Sequence, residues 1–138
     1  MTLHDTYLSN FLAPVSLGEL IDKITILEIK KKHMTEKKLE NVEKELKLLI
    51  LILHEKNLEV DIALINNLKK INNDLWEIEN KIRIKEFKKE FDNSFIELAR
   101  SVYKKNDKRA SIKKEINYKY NSELVEEKFY EDTKEQAM

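Results

Sequence analysis

One glycine and one proline in 138 residues leave this chain almost no material for tight turns or barrel corners. Strand-rich folds need such turns every few residues, whereas helices are joined by short polar connectors. The rest of the sequence favours helix, with 23 Lys and 18 Leu. The expected fold class is therefore all-α, an antiparallel bundle of four main helices. A chain of this length makes one domain around one real hydrophobic core.

The apolar periodicity places the helices. Residues 1–15 show no repeat and end in Ala13-Pro14, which reads as an irregular N-terminal arm. Ser16-Leu17-Gly18-Glu19 is a capping box: the Ser hydroxyl accepts from the amide three residues on, and Glu19 reaches back. A first helix then runs to about Met34, with Leu17, Leu20, Ile21, Ile24 and Leu27 on one stripe. Ile26 and Ile29 lie off that stripe, so this helix should be covered on more than one side. Thr35 can cap a second helix over 36–56, whose seam Leu39, Val42, Leu46, Leu49 and Leu53 is heptad-spaced.

Asn57 to Asp61 reads as a connector into a long third helix over 62–90. Its seam is Leu64, Leu68, Ile71, Leu75, Ile78 and Ile82. The two seams predict a long heptad-seamed helical hairpin formed by the second and third helices. Asp92 and Asn93 mark a break, and Phe95, Leu98, Ala99, Val102 and Tyr103 start a fourth apolar face. Asn106-Asp107 either interrupts that helix or lets it continue through Ile112, Ile116 and Tyr120. A single helical domain over 16–130 and a frayed tail over 131–138 complete the expected organisation.

Charge narrows the function classes. Charged residues make up 38% of the chain, yet 26 bases balance 26 acids, unlike the net positive charge of a nucleic-acid-binding domain. Cysteine is absent, which removes disulfides and thiolate metal sites and suits a reducing cytoplasm. No signal peptide is expected, and the run Leu48 to Leu53 is far short of the ~20 residues that span a bilayer. Leu48, Ile50, Leu51 and Ile52 make that end of the second helix apolar nearly all round. Such a surface is buried at the bundle centre or against a second subunit, and a homodimer is the expected partner state.

Lysines outnumber arginines 23 to 3, so Arg83, Arg100 and Arg109 stand out as positions where a planar fork of donors is needed. The row Asn72, Trp76, Glu79, Arg83, Glu86 sets one guanidinium between two carboxylates at helical spacing. Asn106, Arg109 and Lys113 form a similar row on the fourth helix. Glu28 continues the apolar row Leu17, Ile21, Ile24 and would meet an arginine. The expected buried polar layer is thus Glu28, Trp76, Glu79, Arg83, Asn106, Arg109 and Lys113. It reads either as a network fixing helix register or as a pocket for a small anionic ligand. Glu19 is explained by the cap, and Asp22 by the dipole of the first turn.

No catalytic residue, metal ligand or cofactor is expected, and the chain reads more readily as a non-enzyme. An enzyme reading rests on Mg²⁺ held by acids at i, i+3, as in all-α nucleotide pyrophosphohydrolases. Glu19/Asp22 and Asp74/Glu77 have that spacing. With 26 acids, about five such pairs arise by chance. His4, His33 and His54 lack metal-ligand spacing, and no glycine-rich loop could cradle phosphate.

Several stretches resemble an uncharacterised family of bacterial and phage proteins catalogued as a domain of unknown function. They are VSLGELIDKITILEIK at 15–30, LWEIE at 75–79, FIELARSVY at 95–103, NDKRA at 106–110 and SELVEEK at 122–128. The likeness covers most of 14–130. It implies a short, helical, stand-alone domain, with envelope polysaccharide assembly as the expected setting, and carries no established activity. The function these readings support is a small helical binding or adaptor module. The alternatives are the Mg²⁺-dependent pyrophosphohydrolase and a purely structural oligomerisation module.

Overall fold

The computed structural model describes residues 10–131; the outer parts of the expected arm, 1–9, and tail, 132–138, lie outside them. Among the described residues four helices follow in order: α1, Leu17–His33; α2, Glu36–Glu55; α3, Ile62–Lys88; and α4, Asn93–Lys119. No strand is present among the described residues, and no helix there is long and apolar enough to cross a membrane. α4 runs unbroken past Asn106 and Asp107. Helix starts follow local chemistry, with Ser16, Asp61 and Asp92 side chains accepting from the amides of Glu19, Ala63 and Phe95. Thr35 occupies the cap position of α2, but its hydroxyl makes no capping bond.

With the one glycine inside α1, four non-glycine residues among the described ones take left-handed backbone: Glu36, Asn57, Lys89 and Asn121, with φ of 55°, 52°, 58° and 53°. Each sits at a helix boundary where the chain must reverse. Asn tolerates that region, whereas Glu and Lys are strained there.

α1 is the axis of the bundle. One of its faces buries Leu20, Ile24 and Leu27 against Val42 and Leu46 of α2. Another buries Ile21 against Leu64 and Leu68 of α3 and Ile116 of α4, and Leu53 touches both clusters. Ile29 is buried too, so the helix is covered on more than one side. The seam of α2 thus packs on α1, not on α3; α2 makes no extensive contact with α3 or α4. The long antiparallel hairpin is instead formed by α3 and α4, whose mutual packing is the most extensive in the molecule. The correction has a simple cause: heptad seams state that a face is buried, not which helix buries it.

Length explains what is left uncovered. Seventeen residues of α1 span about 25 Å, while the 27 residues of α3 and of α4 each span about 40 Å. The far end of the hairpin therefore projects beyond α1. Ile84, Phe87, Phe91 and Ile96 are exposed there, Phe87 to 88%.

Candidate functional site

A buried polar centre lies where α1, α3 and α4 meet. It starts from a row on α1, Gly18, Asp22, Thr25 and Ile29, all buried and spaced by 4, 3 and 4 residues. Gly18 is what lets α4 come close: a Cβ at this position would lie well inside 3.0 Å of the Lys113 carbonyl oxygen. The bare amide of Gly18 donates to Asn117 Oδ1 at 2.7 Å, and that of Leu17 donates to Ser122 Oγ at 3.1 Å. Ser16 supplies acceptors for the next two, through its hydroxyl to Glu19 and its carbonyl to Leu20, both at 3.1 Å. All four amides of the first turn are thereby satisfied within the chain.

One turn further on, Asp22 is 1% exposed and fully engaged. Arg109 Nε donates to Oδ1 at 2.9 Å and Nη2 donates to Oδ2, a two-pronged pair. Asn72 Nδ2 donates to the same Oδ1 at 2.8 Å and to Thr25 Oγ1 at 2.9 Å, while the Thr25 hydroxyl donates to the Asp22 carbonyl at 2.8 Å. Lys113, 8% exposed, donates to Glu19 at 2.6 Å and to Glu126 at 3.3 Å, and lies 4.0 Å from Asp22. Among the described residues no buried side-chain polar atom lacks a partner.

The two cations are held in their ionised forms. The hydrogen bonds from Asp22 raise the Arg109 pKa above its ordinary value, against the opposing effect of burial. Burial is the largest single influence on Lys113 and acts downward, but Glu19, Asp22 and Glu126 together outweigh it and the net shift is up.

Above this centre the chain after α4 turns back along the helix, and an open cleft of about 890 Å³ lies between them. Arg109, Lys113 and Asn106 line its base, with Tyr103, Phe129 and Tyr130 around them. The segment is tied down by Lys128 to Asp107 at 2.5 Å and by Lys114 to Glu127 at 2.8 Å. Arg109 Nη1 is engaged only by Asn106 Oδ1, at 3.4 Å, among the described residues.

These elements reach across the chain from Ser16 to Tyr130, and the whole span lies within a single family match. The chain belongs to the family of unknown function DUF6165. The family model matches residues 12–136. No curated protein and no solved structure matches this sequence.

Of the residues expected in a buried layer, this DUF6165 chain brings together Asn106, Arg109 and Lys113. The other four lie elsewhere. Glu28 pairs with Lys69 at 2.6 Å on a half-exposed surface, and Trp76 stacks on His33 with ring centroids 4.0 Å apart. Glu79 and Arg83 are exposed, and Arg83 has no ion pair among the described residues. They fall outside because α1 ends at His33, so the turns of α3 past Trp76 have no first helix opposite them. The acid of α1 that meets an arginine is Asp22, not Glu28. Glu19 does not close the capping box with its carboxylate, which is taken by Lys113.

From the sequence Thr25 and Asn117 carry no expected role, Asn72 stands only at the head of the α3 row, and Asp22 only as a first-turn acid and Mg²⁺ candidate. The available signal was the row Gly18, Asp22, Thr25, Ile29: its 4, 3, 4 spacing joins the only glycine to an isoleucine off the main stripe. Three of the four acids that could have held Mg²⁺ are otherwise engaged, and the fourth, Glu77, is exposed. Glu19 meets Lys113, Asp22 meets Arg109, and Asp74 meets Lys105 at 3.2 Å. Among the described residues no group of three or more His, Cys, Asp or Glu converges as a metal site would require.

Proposed function

We propose that this protein is a small helical binding module whose ligand sits in the cleft between α4 and residues 123–131. The observation that carries the reading is Arg109. Its guanidinium is locked from beneath by a buried carboxylate, which leaves Nη1 and the Asn106 amide at the base of a cleft ringed by aromatic residues. Donors fixed in advance lose little entropy when a ligand arrives.

The lining also narrows the ligand. Arg109, Lys113 and Lys128 are balanced by Asp107, Glu126 and Glu127, so a polyphosphate gains no net attraction. Exposed aromatic faces beside planar polar groups suit a saccharide carrying at most one negative charge. That class agrees with a role in envelope polysaccharide assembly. The chain works in this reading as a homodimer through the apolar end of α2, in the cytoplasm and without catalysis of its own.

The test is a thermal-shift and calorimetric screen with neutral monosaccharides, uronic acids, nucleotide sugars, nucleotides and Mg²⁺. Uronic acids or neutral monosaccharides should stabilise the wild type, and nucleotide sugars, which carry a diphosphate, should not. Tyr103→Ala should remove that effect while leaving the apo melting temperature unchanged, because Tyr103 is 56% exposed. Stabilisation by none of these compounds refutes the reading. Pyrophosphate release from a nucleoside triphosphate would replace it with the hydrolase.

A further inference from the structure

α2 is an edge helix with two apolar faces and one extensively packed neighbour, α1. The row Leu39, Val42, Leu46, Leu49, Leu53 turns toward α1. On the opposite side Lys44, Leu48, Leu51 and Glu55 follow at steps of 4, 3 and 4, a second heptad row with exposed charges at its ends, half-buried leucines between them and no helix packed extensively over it among the described residues. Lys44, Leu48 and Leu51 line a shallow, mainly apolar groove of about 460 Å³ with Lys47, Ile50 and His54. Elsewhere the chain pairs its buried and half-buried cations with acids, as at Lys69, Lys105 and Lys113. Lys44 and Glu55 have no ion pair within the chain among the described residues.

The order of that row is Lys-Leu-Leu-Glu. Turned end for end, it meets itself with leucine against leucine in the middle and lysine against glutamate at both ends. We infer that a second copy of this chain packs on this face, the two α2 helices antiparallel about a two-fold axis between positions 49 and 50. Leu48 of each copy then faces Leu51 of the other, and Lys44 faces Glu55 twice, as an isologous interface requires. A parallel pairing would set Lys44 against Lys44 and Glu55 against Glu55, which disfavours it. This inference deepens the homodimer part of the proposed function and is independent of the cleft.

Charge reversal tests the register. Light scattering with size exclusion should show wild type as a dimer that dissociates on dilution. Lys44→Glu and Glu55→Lys should each weaken dimerisation by about ten-fold or more, since each sets like charges together at two places. The double variant Lys44→Glu/Glu55→Lys should restore it, because both pairs are merely inverted. Both side chains are exposed, so circular dichroism should show every variant folded. A monomeric wild type, or single variants that dimerise as wild type does, overturns the interface. A double variant weaker than either single overturns the antiparallel register. Dimerisation failing while uronic acids still bind would leave the cleft standing, and the reverse outcome would leave the interface.

Discussion

Replacing Gly18 by Ala sets two well-known effects against each other. Alanine in a helix gains up to about 1 kcal/mol over glycine through propensity alone. Here the new Cβ would lie well inside 3.0 Å of the Lys113 carbonyl oxygen and 3.0 Å from both the Lys113 carbonyl carbon and Asn117 Oδ1. Two of those atoms are backbone in the middle of α4, so no side-chain rotation relieves the contact; one helix must withdraw. Overpacking of this kind costs about 1–3 kcal/mol. Withdrawal also stretches the 2.7 Å bond from the Gly18 amide to Asn117, and a buried amide left unpaired costs a further ~1–3 kcal/mol. The clash therefore wins by about 1–5 kcal/mol, centred near 3 kcal/mol. Urea unfolding followed at 222 nm should show a lower midpoint at unchanged slope, and the melting temperature should fall by roughly 10 °C. Asn66→Ala, at an exposed position of α3, serves as the control and should be neutral or slightly stabilising. A Gly18→Ala variant as stable as wild type would refute the close approach of α1 and α4 on which the polar centre depends.

Asp22→Asn keeps the shape of the side chain but leaves Arg109 without its anion; Arg109 retains 28% exposure, so a loss near the lower end of the 3–5 kcal/mol for broken buried pairs, about 3 kcal/mol, is expected by chemical denaturation. Arg109→Leu should be comparably destabilised, whereas Arg83→Leu, at an exposed site, should stay within about 0.5 kcal/mol of wild type. Lys89→Gly should raise stability by roughly 0.5–1 kcal/mol, since Lys89 ends α3 with φ of 58° and its salt bridge to Glu86 is exposed; no gain in melting temperature would contradict the strain argument. The hydrogen bond from Lys85, helped by the Phe95 amide, holds Asp92 below the ordinary carboxylate value of 3.8. A depressed folded-state pKa gives stability that is present above that value and lost as pH falls through the folded one. Asp92→Asn, which keeps a capping side chain, should therefore lower the melting temperature at pH 7 and leave it unchanged near pH 2; an equal loss at both would place the effect on the cap instead.

Helix number, boundaries and the covering of α1 on more than one side were legible because periodicity reports burial directly. Ile29, off the main stripe, already required a second covered face, and the structure supplies it. What periodicity does not carry is the identity of the neighbour. The seam of α2 fits α3 as well as α1, and only the short Met34-Thr35 link and the lengths of the helices decide between them. The same gap misplaced half of the polar layer. Trp76, Glu79 and Arg83 have good helical spacing, but α1 stops at His33, and a residue with no helix opposite stays in water. Asn106, Arg109 and Lys113 came together because their row leads directly into Ile116 and Asn117, which are fully buried against α1.

The acid in α1 then follows from its position in the bundle. A central helix touched by three others has few turns that face solvent, so a carboxylate on its inner row must be met by a donor or be very costly. Asp22 is met by Arg109 from α4 and by Asn72 from α3, and each of those residues alone fixes one helix against α1. Sliding either helix by one turn would strip one of these donors from the buried carboxylate, whereas the apolar clusters would tolerate such a slip far better. The polar centre thus sets the register of three helices. The same lock holds the Arg109 guanidinium still at the base of the cleft, so the feature that specifies the fold also prepares the donor that the proposed ligand would meet.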